Sequence, residues 1–171
     1  MSQYNPKIHN RKSLRLKGYD YSRAGLYFIT ICVQNRAPLF GKIINNDMIL
    51  NDAGQMIDNE WLALSDRFQN IRLHEYAVMP DHFHSILEIV ANDTAGATLV
   101  VDQNKTLGDM VGAFESITTV KYIRAVKNNN WPTFDRKLWQ RNYYERIIRN
   151  EKSFQNITNY IIKNPSKWDD G

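Results

Sequence analysis

From residue 26 to 34 the chain reads Leu-Tyr-Phe-Ile-Thr-Ile-Cys-Val-Gln, a run rich in β-branched and aromatic residues that predicts a first strand. Two shorter apolar pieces, Lys42 to Ile44 and Asp47 to Leu50, flank Asn45-Asn46. Asn accepts left-handed geometry, so a hairpin is expected there. A helix is expected to start at Asp52, read as its N-cap with Gln55 three residues on. Ala53, Met56, Ile57, Trp61, Leu64 and Phe68 then recur at the helical period. A strand from Ile71 to Val78 leads through Met79-Pro80-Asp81, a tight turn, into a second run of Ile, Val and Phe that begins at His82. These two strands should pair antiparallel. The polar stretch 91–105 reads as a flexible loop. Thr106, with Asp109 as capping partner, opens a second helix whose Leu107, Met110, Val111, Phe114 and Ile117 share a face and which runs to about Lys127. A further strand is expected within Trp139 to Ile148. Asn150 caps a last helix, Glu151 to about Asn164, which Pro165 ends.

Strand, helix, strand, strand, helix, strand is the order of the ferredoxin-like split βαβ plan, an α+β fold with an antiparallel sheet. Here it carries an inserted hairpin and an appended C-terminal helix. One domain is expected over 1–171, with a basic arm and loop at 1–24 and the last helix at 150–165. Two helices cross one sheet face and leave the other available. This plan hosts many functions, so chemistry must be sought in the residues.

Composition narrows the classes. With 171 residues the chain can bury a sizeable core. No apolar run is long enough for a membrane span, and the N-terminal residues lack the apolar core of a signal peptide. The single cysteine, Cys32, rules out an internal disulfide or a cysteine zinc site and is expected to be a buried small hydrophobe. A cytoplasmic protein is the expectation. The net charge of +4 is uneven, since Lys7, Arg11, Lys12, Arg15 and Lys17 all precede the first acidic residue, Asp20. Such an arm can contact phosphates or remain a solvated tail. Trp139, Arg141, Tyr143 and Arg146 interleave aromatics with cations, a pattern that can stack bases and neutralise phosphates or simply build a core.

Alternation along the strand that follows Asp81 puts His82 and His84 on one face and Phe83, Leu87 and Ile89 on the other. Two neutral imidazoles can hold a divalent cation if another group completes the site. Alone, a His-x-His is more often two half-exposed histidines beside a turn. On the last helix Tyr160 and Asn164 lie four apart, beside the apolar stripe of Phe154, Ile157 and Ile161. Packed by that stripe, the helix could present both to the histidines. Asn164 would then be a third ligand, and Tyr160 a nucleophile toward a phosphodiester. On the residues alone, Tyr160 reads rather more readily as a tyrosine packed at a sheet edge. Asp81 could orient an imidazole or merely close its turn. Of Tyr143 and Tyr144, on opposite faces of a strand, one could also face the site, whereas His74 reads as structural.

Together these motifs resemble a known family. His82-Phe83-His84 after Met79-Pro80-Asp81 is similar to the HUH pattern (His, bulky apolar, His) of single-tyrosine HUH transposases. Trp139-Gln140, Ile148-Arg149-Asn150 and Tyr160-Ile161-Ile162-Lys163-Asn164-Pro165 resemble the REP-associated tyrosine transposase branch, as does Thr30 to Arg36. The resemblance implies that His82, His84 and Asn164 bind Mg2+ or Mn2+ and that Tyr160 attacks single-stranded or hairpin DNA, leaving a 5′-phosphotyrosine. Insertion-sequence relatives usually carry Gln at the position of Asn164, whose shorter amide must reach the metal or use a bridging water. The resemblance leaves monomer and homodimer both open. Two other readings compete: a nucleic-acid-binding module without chemistry, and a hydrolase in which water attacks.

Overall fold

In the computed structural model, which describes residues 17–91 and 105–168, the first apolar run forms β1 (Gly25–Cys32), an inner strand of a four-stranded antiparallel sheet. Next come the hairpin β2 (Gly41–Ile44) and β3 (Asp47–Leu50), turned by Asn45 and Asn46 at φ of 52° and 68°. Helix α1 (Asp52–Leu62) is capped by Asn51, whose side chain accepts from the Gly54 N–H at 2.9 Å. The expected cap, Asp52, is instead the first helical residue. Both types cap well, but Asn51 is the one with extended backbone. The helical period continues past a break at Ala63 into the short α2 (Leu64–Arg67).

Strands β4 (Ile71–Val78) and β5 (His82–Ile89) pair antiparallel as expected. Helix α3 (Leu107–Asn129) starts on the predicted Thr106–Asp109 capping box. Strand β6 (Tyr144–Ile148) is shorter than the segment that predicted it, and α4 (Glu151–Ile162) follows with the Asn150 side chain accepting from the Ser153 N–H at 2.8 Å. The strand order β4-β5-β1-β6 is that of the split βαβ plan, so the α+β expectation holds.

Residues alternate across this sheet to make two cores. Tyr27, Ile29, Ile31, Phe83 and Leu87 face α1 and α3, where Trp61 and Phe114 close the larger core. Phe28, Ile86 and Ile148 face the other way and are covered by Ile157 and Ile161 of α4, with Phe154 beside them. The second face is therefore not open: the appended helix lies on it. Among the described residues no helix is long and apolar enough to cross a membrane.

Several expectations change. Cys32 is half-buried rather than buried: it closes β1, where the half-exposed Arg36 side chain donates to its Sγ at 2.9 Å. Trp139 is no base-stacking platform. It is 5% exposed, its Nε1 donates to Thr118 Oγ1 at 2.9 Å, and its ring packs on Phe40 and Phe114. Tyr143 precedes β6 instead of lying on it and packs partly buried against the larger core. Lys17 is exposed in the loop before β1. Arg11, Lys12, Arg15 and almost all of the 91–105 loop lie outside the described residues. Because Trp139 fills the core, Trp139→Ala should cost about 3–5 kcal/mol of stability in urea unfolding. A loss below about 1 kcal/mol would contradict its burial.

Candidate active site

The turn before β5 is anchored at three points. The Met79 N–H donates to the His82 carbonyl at 2.8 Å, the Val33 N–H to the Asp81 carbonyl at 2.9 Å, and the Phe40 N–H to the Pro80 carbonyl at 3.1 Å. The β1–β5 register sets Cys32 opposite His82 and Thr30 opposite His84. Each imidazole is held at Nδ1. Asp81 Oδ1 lies 2.6 Å from His82 Nδ1, and Thr30 Oγ1 lies 2.7 Å from His84 Nδ1. The Asp81 carboxylate can only accept, so Nδ1–H of His82 donates to it, and in the neutral ring the lone pair is left on Nε2. The two Nε2 atoms converge to 2.9 Å.

Both histidines are buried, 5% and 4% exposed, at the floor of a cleft of about 500 Å³. Burial, with smaller contributions from His82 and Arg36, pushes the His84 pKa down to about 3, so this ring is neutral. Arg36 braces the pair from outside. Its Nε lies 2.8 Å from Asp81 Oδ2 and its Nη1 donates to Cys32 Sγ at 2.9 Å. Asn35 and Arg36 both adopt left-handed backbone, φ 57° and 54°, in the turn that follows β1.

The docked helix supplies the other groups. Tyr160 stands with its ring centroid 5.3 Å from that of His84, within the same chain, and is 45% exposed on the cleft's open side. One turn further, the Asn164 side-chain amide reaches within 3.4 Å of His84 Nε2. Trp168 stacks on His82, with centroids 5.8 Å apart and planes 28° apart. The four residues singled out by spacing, His82, His84, Tyr160 and Asn164, therefore meet in one cleft.

The donor set fits a divalent cation. Ligands on adjacent corners of an octahedron at about 2.1 Å from the ion are about 3 Å apart, close to the spacing of the two Nε2 atoms. Asn164 can turn its amide to offer the carbonyl oxygen, the two amide atoms being exchanged by a half-rotation. Among the described residues no group of three or more His, Cys, Asp or Glu side chains is placed to hold a metal ion, and the Asn164 amide lies 3.4 Å from His84 Nε2.

Other candidates are scattered. Arg146 is exposed and sits across from Phe28, on the site's face of β6. Arg141 is exposed in a separate groove beside Glu115 of α3. His74 pairs with Glu88 at 2.7 Å and does not line the cleft. Thr30, Arg36, Lys167 and Trp168 line it without having been singled out. Thr30 could have been found by pairing the two strands in register. Arg36 closes the Thr30–Arg36 segment that carries part of the resemblance, which gives it no role, and Lys167 and Trp168 carry no local signal.

No family model matches the chain. A Haemophilus influenzae protein without an assigned function is 39% identical over 175 residues, which span 98% of this chain and 95% of that protein. A second protein of that organism, provisionally named a REP-associated tyrosine transposase, is 23% identical over 150 residues, 86% of this chain and 74% of its own length. Among solved structures, a REP-associated tyrosine transposase bound to a REP hairpin matches with a TM-score of 0.52 at 19% identity, over 98% of this chain and 74% of that one. The fold is thus that of a REP-associated tyrosine transposase. The chain belongs to one family with the first Haemophilus protein, and the kinship with REP-associated tyrosine transposases read from its motifs is borne out.

The state of His84 sets a pH dependence. The unfolded ring takes up a proton near pH 6.5, whereas the buried ring refuses it until about pH 3. Stability from this residue is therefore full above about pH 6.5 and lost as pH falls toward 3. In the presence of chelator, unfolding free energy should fall between pH 6.5 and 4 by up to about 1.4 kcal/mol per unit from this group. His84→Gln should flatten that slope, and unchanged slopes in the two proteins would contradict a neutral buried ring.

Proposed function

We propose that this protein nicks single-stranded DNA and transfers the cut strand through a covalent 5′-phosphotyrosine on Tyr160. The observation that carries the reading is the convergence, within one chain, of an exposed phenol on two buried imidazoles whose Nε2 atoms face each other. The relative named a REP-associated tyrosine transposase and the hairpin-bound neighbour support it, and they favour hairpin-forming DNA as substrate.

His82, His84 and Asn164 would hold Mg2+ or Mn2+, the imidazoles sitting more comfortably with Mn2+ than with Mg2+ and the remaining oxygen ligands keeping Mg2+ possible. When bound, the cation would polarise the scissile phosphodiester as a Lewis acid. The chain's own groups do the rest. Asp81 and Thr30 fix the two rings through Nδ1, and Arg36 fixes Asp81. Arg36 and Lys167 line the cleft and offset the phosphate's charge. The Tyr160 oxygen attacks phosphorus, and its proton passes to water. The P–O3′ bond breaks and the departing 3′ oxygen takes a proton, leaving a free 3′-hydroxyl. A 3′-hydroxyl returning to the phosphotyrosine reverses these bond changes and joins the strands. Tyr160 acts on the site of its own chain.

Incubation with Mn2+ and a single-stranded DNA hairpin with unpaired flanks should yield a protein–DNA adduct that survives denaturing electrophoresis. Tyr160→Phe and chelator should each abolish it. An adduct formed by Tyr160→Phe would refute the nucleophile, and cleavage without any adduct would favour attack by water. Asp81→Asn removes the carboxylate charge behind His82, so Mn2+ affinity measured by calorimetry should fall about 10- to 100-fold. Unchanged affinity would show that Asp81 only closes its turn.

A further inference from the structure

Tyr144 has no part in the chemistry above, yet it stands in the same cleft. It opens β6 and pairs with Thr30, whose hydroxyl meets His84 Nδ1. Tyr144 is 48% exposed, close to the 45% of Tyr160. Its ring meets Phe28 edge-on, with centroids 6.2 Å apart and planes at 70°, while Tyr160 meets the same ring at 6.1 Å and 87°. Phe28 is buried, so two exposed phenol rings border a shared aromatic floor. Arg146, on the same face of β6 and also exposed, sits directly across from Phe28.

We propose that Tyr144 is a stacking platform for the unpaired nucleobase next to the phosphodiester that Tyr160 attacks. This rests on the reading of the substrate as single-stranded DNA. An exposed ring beside a cation is how proteins hold single strands: the aromatic face stacks on a base and the cation offsets the backbone phosphate. Such stacking tolerates any base, so Tyr144 positions the strand without reading its sequence. It acts through its ring and not its hydroxyl, which separates it from a second nucleophile.

The test uses the full chain in chelator, which silences cleavage. The probe is a fluorescein-labelled dodecathymidylate followed by anisotropy, together with the same oligonucleotide carrying one 5-iodouracil for photocrosslinking. Tyr144→Ala should weaken binding about 5- to 150-fold, the range for one lost base–aromatic stack. Tyr144→Phe should rescue affinity, and the wild-type crosslink should map to the peptide containing Tyr144. Binding by Tyr144→Ala within two-fold of wild type would overturn the proposal. So would a Tyr144→Phe protein as weak as Tyr144→Ala, or a crosslink mapping elsewhere. If the wild type binds this DNA and forms the Tyr160 adduct while Tyr144→Ala binds normally, only this inference falls. If the wild type binds no single strand and also forms no adduct with the hairpin substrate and Mn2+, the proposed function falls with it.

Discussion

The site depends on one apolar contact, the seating of Ile157 and Ile161 of α4 against Phe28, Ile86 and Ile148 on the sheet. A helix of 12 residues is marginal by itself in water. Burying an Ile side chain gains about 1.5–3 kcal/mol, so two such anchors suffice to hold it. Their spacing then decides the chemistry. With Ile157 and Ile161 facing the sheet, Tyr160 is turned to the rim of the seam and Asn164 follows it one turn later. Nothing polar is needed to aim the tyrosine, because the hydrophobic register does it.

The second constraint is strand register. Thr30 meets His84 only because β1 and β5 pair Thr30 with His84 and Cys32 with His82. A slip of one residue would send both imidazoles into the larger core and Phe83 out of it. The large residues on the other face, Phe83 against Trp61 and Phe114, make such a slip costly. The same core that stabilises the domain thereby fixes the strand face on which the two histidines meet, their Nε2 atoms 2.9 Å apart.

These constraints explain what could be read from the chain in advance. The His82–His84 alternation, the Tyr160–Asn164 spacing and the Thr106 and Asn150 caps are local periodicities, and each appears where its period predicts. Asn51 and Asp52 are neighbours of equal capping ability, so only the backbone conformation chooses between them. Trp139 misled because an aromatic beside cations looks alike on a surface or in a core. Its inward turn is decided by Val33 and Thr118, both far away in sequence. Arg36 and Trp168 reach the site through a left-handed turn and the short segment after α4, and neither leaves a pattern in composition. Cys32, read as a core residue, is instead the last residue of β1, where its sulfur meets the Arg36 guanidinium.

In the proposed reaction α4 delivers its own chain's Tyr160 to the histidine pair as the group that takes the DNA strand. Proteolysis of the covalent adduct followed by mass spectrometry tests this most directly. The expected product is a nucleotide attached through phosphate to Tyr160 in the α4 peptide. Attachment to Tyr144, or DNA cut with every tyrosine unmodified throughout the reaction, would contradict it.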